Sequence, residues 1–126
     1  MILDLAPGWE MEVDRGPDWL FIRLRGEEPF DTEGIELSSR CFQMMEQEFV
    51  QRAVIEMDEI DLLRSHLLGE LVALRKRLQD QGGMLRLSGL SDDNYEVLVS
   101  SGLTHHFPRY SSCEEAVMGY RPGKPR

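Results

Sequence analysis

Cysteine is scarce in this 126-residue chain: Cys41 and Cys113 are the two present, far apart and in no CxxC pair. That argues against a disulfide framework and makes a reducing compartment the default. Basic residues are also few, with 14 lysines and arginines against 23 acids and a formal net charge of −9. Nucleic acid and anionic membranes both require a basic footprint, so neither is expected as a direct partner. The single basic cluster, Arg75-Lys76-Arg77, reads as the solvated face of a helix. No apolar run approaches the roughly 20 residues that span a bilayer. The opening MILDLAPGWEME lacks the basic and apolar regions of a signal peptide. A cytoplasmic protein without membrane insertion is expected. A Gly-rich phosphate loop is missing too, because Gly82-Gly83 follow a helical segment rather than open one.

What is present is an ordinary globular composition, 41% hydrophobic and 29% charged, sized for one domain with a modest core. Trp9, Met11 and Val13 alternate with polar residues, and WLFIRLRG (19–26) is a denser apolar run beyond a Gly16-Pro17 turn. Together they predict a β-hairpin. Residues 30–52 carry helical spacing, with Ile35, Ser38, Phe42, Met45 and Phe49 on one stripe, Asp31 or Thr32 as cap, and Gly34 weakening the first turn. AVIEMDEI (53–60) predicts a buried strand fraying into acids. The clearest helix spans about 62–81, where Leu63, Leu67, Leu71, Leu74 and Leu78 form a narrow core stripe ending at Gly82-Gly83. MLRLSGL (84–90) predicts a strand. Ser91 caps the next helix, with Leu90 and Tyr95 placed as a hydrophobic staple and Gly102 at the stop. HHFPRYS reads as an extended piece, counted as a strand, and Ser112 with Glu115 as a capping box opening a short last helix. The order β-β-α-β-α-β-α-β-α implies an α/β fold, a mixed sheet of about five strands with about four helices packed on it. One domain over 1–118 and a disordered tail over 119–126 are expected.

Three stretches in this order resemble the STAS domain, the fold of bacterial anti-sigma factor antagonists. AVIEMDEIDLLRSHLLGELVALRKRLQDQGG (53–83) is similar to the family's V-[VIL]-[DE]-[LM] strand, acidic or glycine turn, D-[ST]-[ST]-G helix start and leucine-rich helix ending in Gly-Gly. MLRLSGLSDDNYEVLVSSGL (84–103) is similar to its next strand, helix and closing T-G-L, and THHFPRYSSCEEAV (104–117) to its xxFxIYxSxEEA ending. The resemblance covers roughly residues 9–118. It implies a protein without catalysis of its own and with no cofactor. Such a protein binds an anti-sigma factor with a histidine-kinase-type ATPase fold, a serine kinase, and so raises transcription indirectly. The alternatives are a STAS subunit docking on a transporter ATPase and a small-ligand or nucleotide sensor.

The D-[ST]-[ST]-G motif falls on Arg64-Ser65-His66-Leu67, of which only Ser65 is kept. The resemblance places Ser65 on the residue that a partner kinase phosphorylates in many antagonists. With Leu67 facing the core, about 100° per residue points Ser65 outward near Gly69, Val72 and Lys76, with Leu68 leaning the same way. A docking face is expected from Arg64, Ser65, His66, Leu68, Gly69 and Val72, joined by Asp58 and Asp61 of the preceding loop. A phosphate on Ser65 adds close to two negative charges at a helix N-terminus beside Arg64. The fold tolerates that charge, and a docked partner does not. Composition and spacing alone favour a serine that serves only local hydrogen bonding near a helix start, and the resemblance is what turns the reading toward a partner face.

Other chemistry is weaker. His105 and His106 are adjacent in an extended segment, point to opposite faces, and have no acid or Cys at metal-ligand spacing. His66 does not face Ser65 as a general base and lacks an orienting third group. Glu56, Asp58, Glu59 and Asp61 fit a solvated strand-to-helix turn, with Asp61 favourable near the helix's positive end. Met44, Met45 and Met57 fit core filler.

Overall fold

The computed structural model describes residues 1–6, 8–26 and 36–119. Its elements run β1 (Ile2–Ala6), β2 (Trp9–Arg15), β3 (Leu20–Gly26), α1 (Leu37–Gln47), β4 (Arg52–Glu56), α2 (Ser65–Asp80), β5 (Met84–Ser88), α3 (Asp92–Ser100) and α4 (Cys113–Met118). They form one five-stranded sheet in the order β1-β2-β3-β4-β5. The first three strands are antiparallel, and β3, β4 and β5 are parallel. The mixed α/β architecture expected from the sequence is therefore the one observed.

Side-chain alternation decides which face of each strand is covered. Trp9, Met11 and Val13 of β2 and Leu20, Ile22 and Leu24 of β3 are buried in the main core, along with Leu67, Leu71, Leu74 and Leu78 of α2. Residues Ala53, Val54 and Ile55 of the interior strand β4 are fully buried, so that strand is covered on both faces. Ala53 and Ile55 join the main core, while Val54 joins a second cluster with Trp19, Tyr110 and Ala116 on the opposite face. The three methionines Met44, Met45 and Met57 are buried in the main core.

Several expectations are corrected. The fifth strand is β1, not the segment at 105–110. ILDLA is a short edge strand, with Ile2 and Asp4 exposed, and it carries too little periodicity to stand out beside Pro7. In the later segment, Phe107 N–H bonds the Leu103 carbonyl in a turn, and Pro108 supplies no N–H to a ladder. All that remains there is one bridge, Ser88 to Tyr110. The helix expected over 62–81 begins at Ser65, and Leu63 is buried from the loop before it. Glu115 Oε1 accepts from the Ser111 N–H at 2.9 Å, one residue before the cap, while Ser112 Oγ accepts from the Glu115 N–H as expected. Ser91 Oγ likewise accepts from the Asn94 N–H. Asp31, Thr32, Gly34 and Ile35, and residues 120–126 of the expected tail, lie outside the described residues.

The end of α1 differs most from the predicted stripe. The helix stops at Gln47, so Phe49 leaves the helical period and stands 93% exposed. The Phe49 N–H bonds the Glu46 carbonyl and the Val50 N–H the Met45 carbonyl, a Schellman closure. The same pair of bonds closes α2 at Gly82 and α3 at Gly102. Phe49 has φ 55° where those two have glycine, and among the described residues no other non-glycine has positive φ. Such a conformation costs an ordinary residue roughly 1–2 kcal/mol.

Candidate partner-binding site

The loop between β4 and α2 and the first turns of α2 bring the predicted site residues together. Met57 N–H bonds the Ser88 carbonyl at 2.8 Å, holding the exit of β4 against β5. Ile60 N–H then bonds the Met57 carbonyl, and Ile60 and Leu63 turn inward to the core. Between them Asp61 and Leu62 are exposed. The buried amide of Asn94 fixes this stretch from α3: its Oδ1 accepts from the Leu63 N–H at 2.8 Å and its Nδ2 donates to the Ile60 carbonyl at 2.9 Å. On the other side, Arg25 Nε donates to Glu59 at 2.9 Å and Arg23 to Glu56 at 2.8 Å. The hydrogen bond and charge of Glu56 raise the pKa of Arg23. Asp58 lies over the β5–α3 turn, where a Cβ on Gly89 would run into its carboxylate.

Arg64 is the N-cap of α2, with extended backbone and no side-chain cap, and its carbonyl accepts the first helical bond from Leu68 N–H at 2.9 Å. Ser65 is thus the first helical residue. The N–H groups ahead of that bond form the positive end of the helix, and no acid lies in the first turn. Ser65, Gly69, Val72 and Lys76 are all exposed and follow one another along one face. His66 is half-buried, and Leu68 is partly buried against the main core rather than fully outward. A Cβ built on Gly69 would meet nothing within 4 Å. Glycine there is required by no neighbour, although it costs a helix interior about 1 kcal/mol relative to alanine.

Two residues of this site escaped sequence reading. Leu62 is 48% exposed and adds an apolar side chain beside the start of α2. The Leu62-Leu63 pair was the available signal, since Leu63 falls on the leucine stripe of this segment and Leu62 does not. Asn94 gave no signal, because its partners lie more than 30 residues away.

Among the described residues no cluster of His, Cys, Asp and Glu could hold a metal ion, and His105 and His106 are both exposed. No described helix is long and apolar enough to cross a membrane. Cys41 and Cys113 are free thiols. Burial pushes the Cys41 thiol up to about 12, and burial with the nearby charge of Glu56 pushes Cys113 up to about 11.

The site and all of the fold except β1 and the last two residues of α4 fall within residues 9–116, which match the family model described as the STAS domain, and the chain belongs to that family. An anti-sigma factor antagonist from Mycobacterium paratuberculosis has a similar fold, with TM-score 0.72 and 18% identity over 94% of this chain and 99% of the other. An anti-sigma-factor antagonist (STAS) domain protein from Planctomyces limnophilus gives TM-score 0.66 and 25% identity over 86% and 95% of the two chains. The Bacillus cell fate determinant SpoIIAA in its phosphorylated form gives TM-score 0.64 and 18% identity over 88% and 99%. Comparison with curated proteins finds no match.

Proposed function

We propose that this chain is a non-catalytic, cytoplasmic regulatory STAS domain that binds an anti-sigma factor of the serine kinase type through the start of α2, with Ser65 as the phosphorylated switch. The observation that carries this reading is the exposed pair Ser65 and Gly69, one turn apart on α2. The glycine weakens the helix and, among the described residues, answers to no contact inside the chain. It leaves a flat patch beside the hydroxyl on which a partner's backbone can settle. Leu62 and Val72, 48% and 37% exposed, supply apolar contact on either side. Arg64, His66 and Leu68 complete the patch, and Asp58 and Asp61 supply its acidic edge.

A phosphate at Ser65 would sit at the positive end of α2 next to Arg64, so the domain itself tolerates the charge. A partner docked on an uncharged hydroxyl and a bare glycine would meet close to two new negative charges. A relative of the same fold, SpoIIAA, has been solved both phosphorylated and unphosphorylated. The test is a paired pull-down from native lysate with wild type and Ser65→Glu. Retention of one kinase-like protein by wild type and its loss from the variant is the expected result. If both baits hold the same protein equally, Ser65 is not a switch. If that shared protein is a P-loop ATPase, docking on a transporter replaces the antagonist reading.

A further inference from the structure

We infer that this chain pairs with a second copy of itself through Phe49 and the groove beside it, at the end of the molecule opposite the start of α2. Phe49 breaks two rules together. It is a large aromatic that is 93% exposed, and it holds a left-handed backbone at a position where α2 and α3 have glycine. Among the described residues nothing repays that strain, since the ring is 93% exposed and adds almost nothing to the core. Residues that oppose local preference without an internal gain mark places where the chain answers to something outside itself.

Beside the ring lies a groove of about 310 Å³ between the ends of α1 and α2, with Phe42, Met45, Val50 and Leu78 as its apolar lining, Glu46, Gln51 and Gln81 as its polar lining, and Phe49 as one wall. One patch therefore carries both a projecting aromatic and a recess sized for an aromatic. A two-fold pairing uses both halves at once, with each Phe49 entering the other copy's groove and the two rings meeting. The charges on the rim favour the same occupant. Glu46 lines the groove and Glu48 precedes Phe49 in the chain, both exposed, with Arg15 donating to the Glu48 carbonyl at 3.0 Å, and the exposed Arg77 lies over Phe42, 4.9 Å from that ring's centre. Inserting Phe49 toward Phe42 of the second copy carries the two acids toward its Arg77, and the symmetry repeats the contact.

One ring per copy buries less than the roughly 1,200 Å² of a stable interface, so the pairing is weak, with Kd on the order of 0.1–1 mM. The pair leaves both α2 N-termini free, because Phe49 precedes β4 and α2 follows it. A dimer therefore offers two partner-binding faces.

Sedimentation equilibrium of the full chain over roughly 0.01–1 mM reads the outcome. Wild type is expected to move from monomer to dimer. Phe49→Gly is expected to weaken pairing at least about tenfold while raising the melting temperature, which separates lost contact from lost fold. Phe49→Asn, also compatible with the left-handed backbone, should behave as the glycine variant does. A wild type that stays monomeric throughout overturns the inference. So does pairing that survives Phe49→Gly unchanged, and mass that grows past a dimer overturns the two-fold arrangement.

Discussion

The side chain of Asn94 on α3 bonds both the N–H of Leu63 and the carbonyl of Ile60, and so clamps the loop that delivers α2 to the surface. Asn94 is wholly buried, and no water is needed to complete the pair. An amide suits this place because it carries a donor and an acceptor on one planar group. Asn94→Ala leaves two buried backbone groups without partners, at a cost of about 2–4 kcal/mol. Asn94→Asp is the sharper test. The carboxylate keeps the bond from Leu63 N–H but opposes the Ile60 carbonyl. Its protonation restores a donor, so this variant should gain stability relative to wild type as pH falls. Chemical denaturation across pH measures both effects, and an alanine variant as stable as wild type would remove the clamp from the account.

Gly69→Ala should separate stability from binding. With open space around the added methyl group, the helix gains about 1 kcal/mol. The same methyl fills the flat patch beside Ser65, so partner affinity should fall. Thermal melts and a binding titration read the two effects independently. A variant that is both more stable and equally tight would show that the partner docks elsewhere.

Ser65→Glu should fold at least as well as wild type. The first turn of α2 contains no acid, and a carboxylate there interacts favourably with the helix's positive end by about 0.3–1 kcal/mol. Loss of a partner from this variant is then a surface effect. A clear drop in melting temperature would mean that the hydroxyl has a structural role instead.

Gly26 pairs with Trp9 across β2 and β3, and a Cβ there would lie inside the Trp9 indole. The ring covers the bare backbone of its partner strand, the arrangement by which aromatics rescue sheet glycines. Gly26→Ala must displace a buried indole, so a loss of about 1–3 kcal/mol and a red shift of tryptophan emission are expected. Unchanged fluorescence and stability would show that the strands separate more readily than their register indicates.

The two thiols predict an alkaline limit. Both are held above the ordinary value of 9.0, Cys41 at about 12 and Cys113 at about 11, chiefly by burial. The unfolded chain therefore releases its thiol protons first. The associated stability is complete below about pH 9 and is lost as pH rises toward the folded values. Unfolding free energy should fall above pH 9, and native protein at neutral pH should react with thiol reagents far more slowly than unfolded chain. Equal rates would show that Cys41 is not sealed.

Much of this was legible in the sequence for local reasons. Helix faces and strand alternation depend on residues a few positions apart, so the leucine stripe of α2, the β2–β3 hairpin, the Ser91 and Ser112 caps and the glycine stops at Gly82 and Gly102 could be read directly. The placement of Ser65 on an outward face followed from the same periodicity. What failed lay at element ends. β1 is too short and exposed to show a pattern, and the segment before Tyr110 contacts β5 at a single bridge, so the strand count came out right with one member exchanged.

Within each helix and strand the sequence by itself determined which residues face inward, because 3.6- and 2-residue periods are properties of the local chain. Only the tertiary structure decided what holds the site and what lies at the other pole. Asn94 meets Ile60 and Leu63 because α3 packs beside the loop, across more than 30 residues of chain. Phe49 is thrown outward because α1 stops two residues before it, where the chain must turn back into β4. Such outcomes depend on where separate elements meet, which no local period encodes.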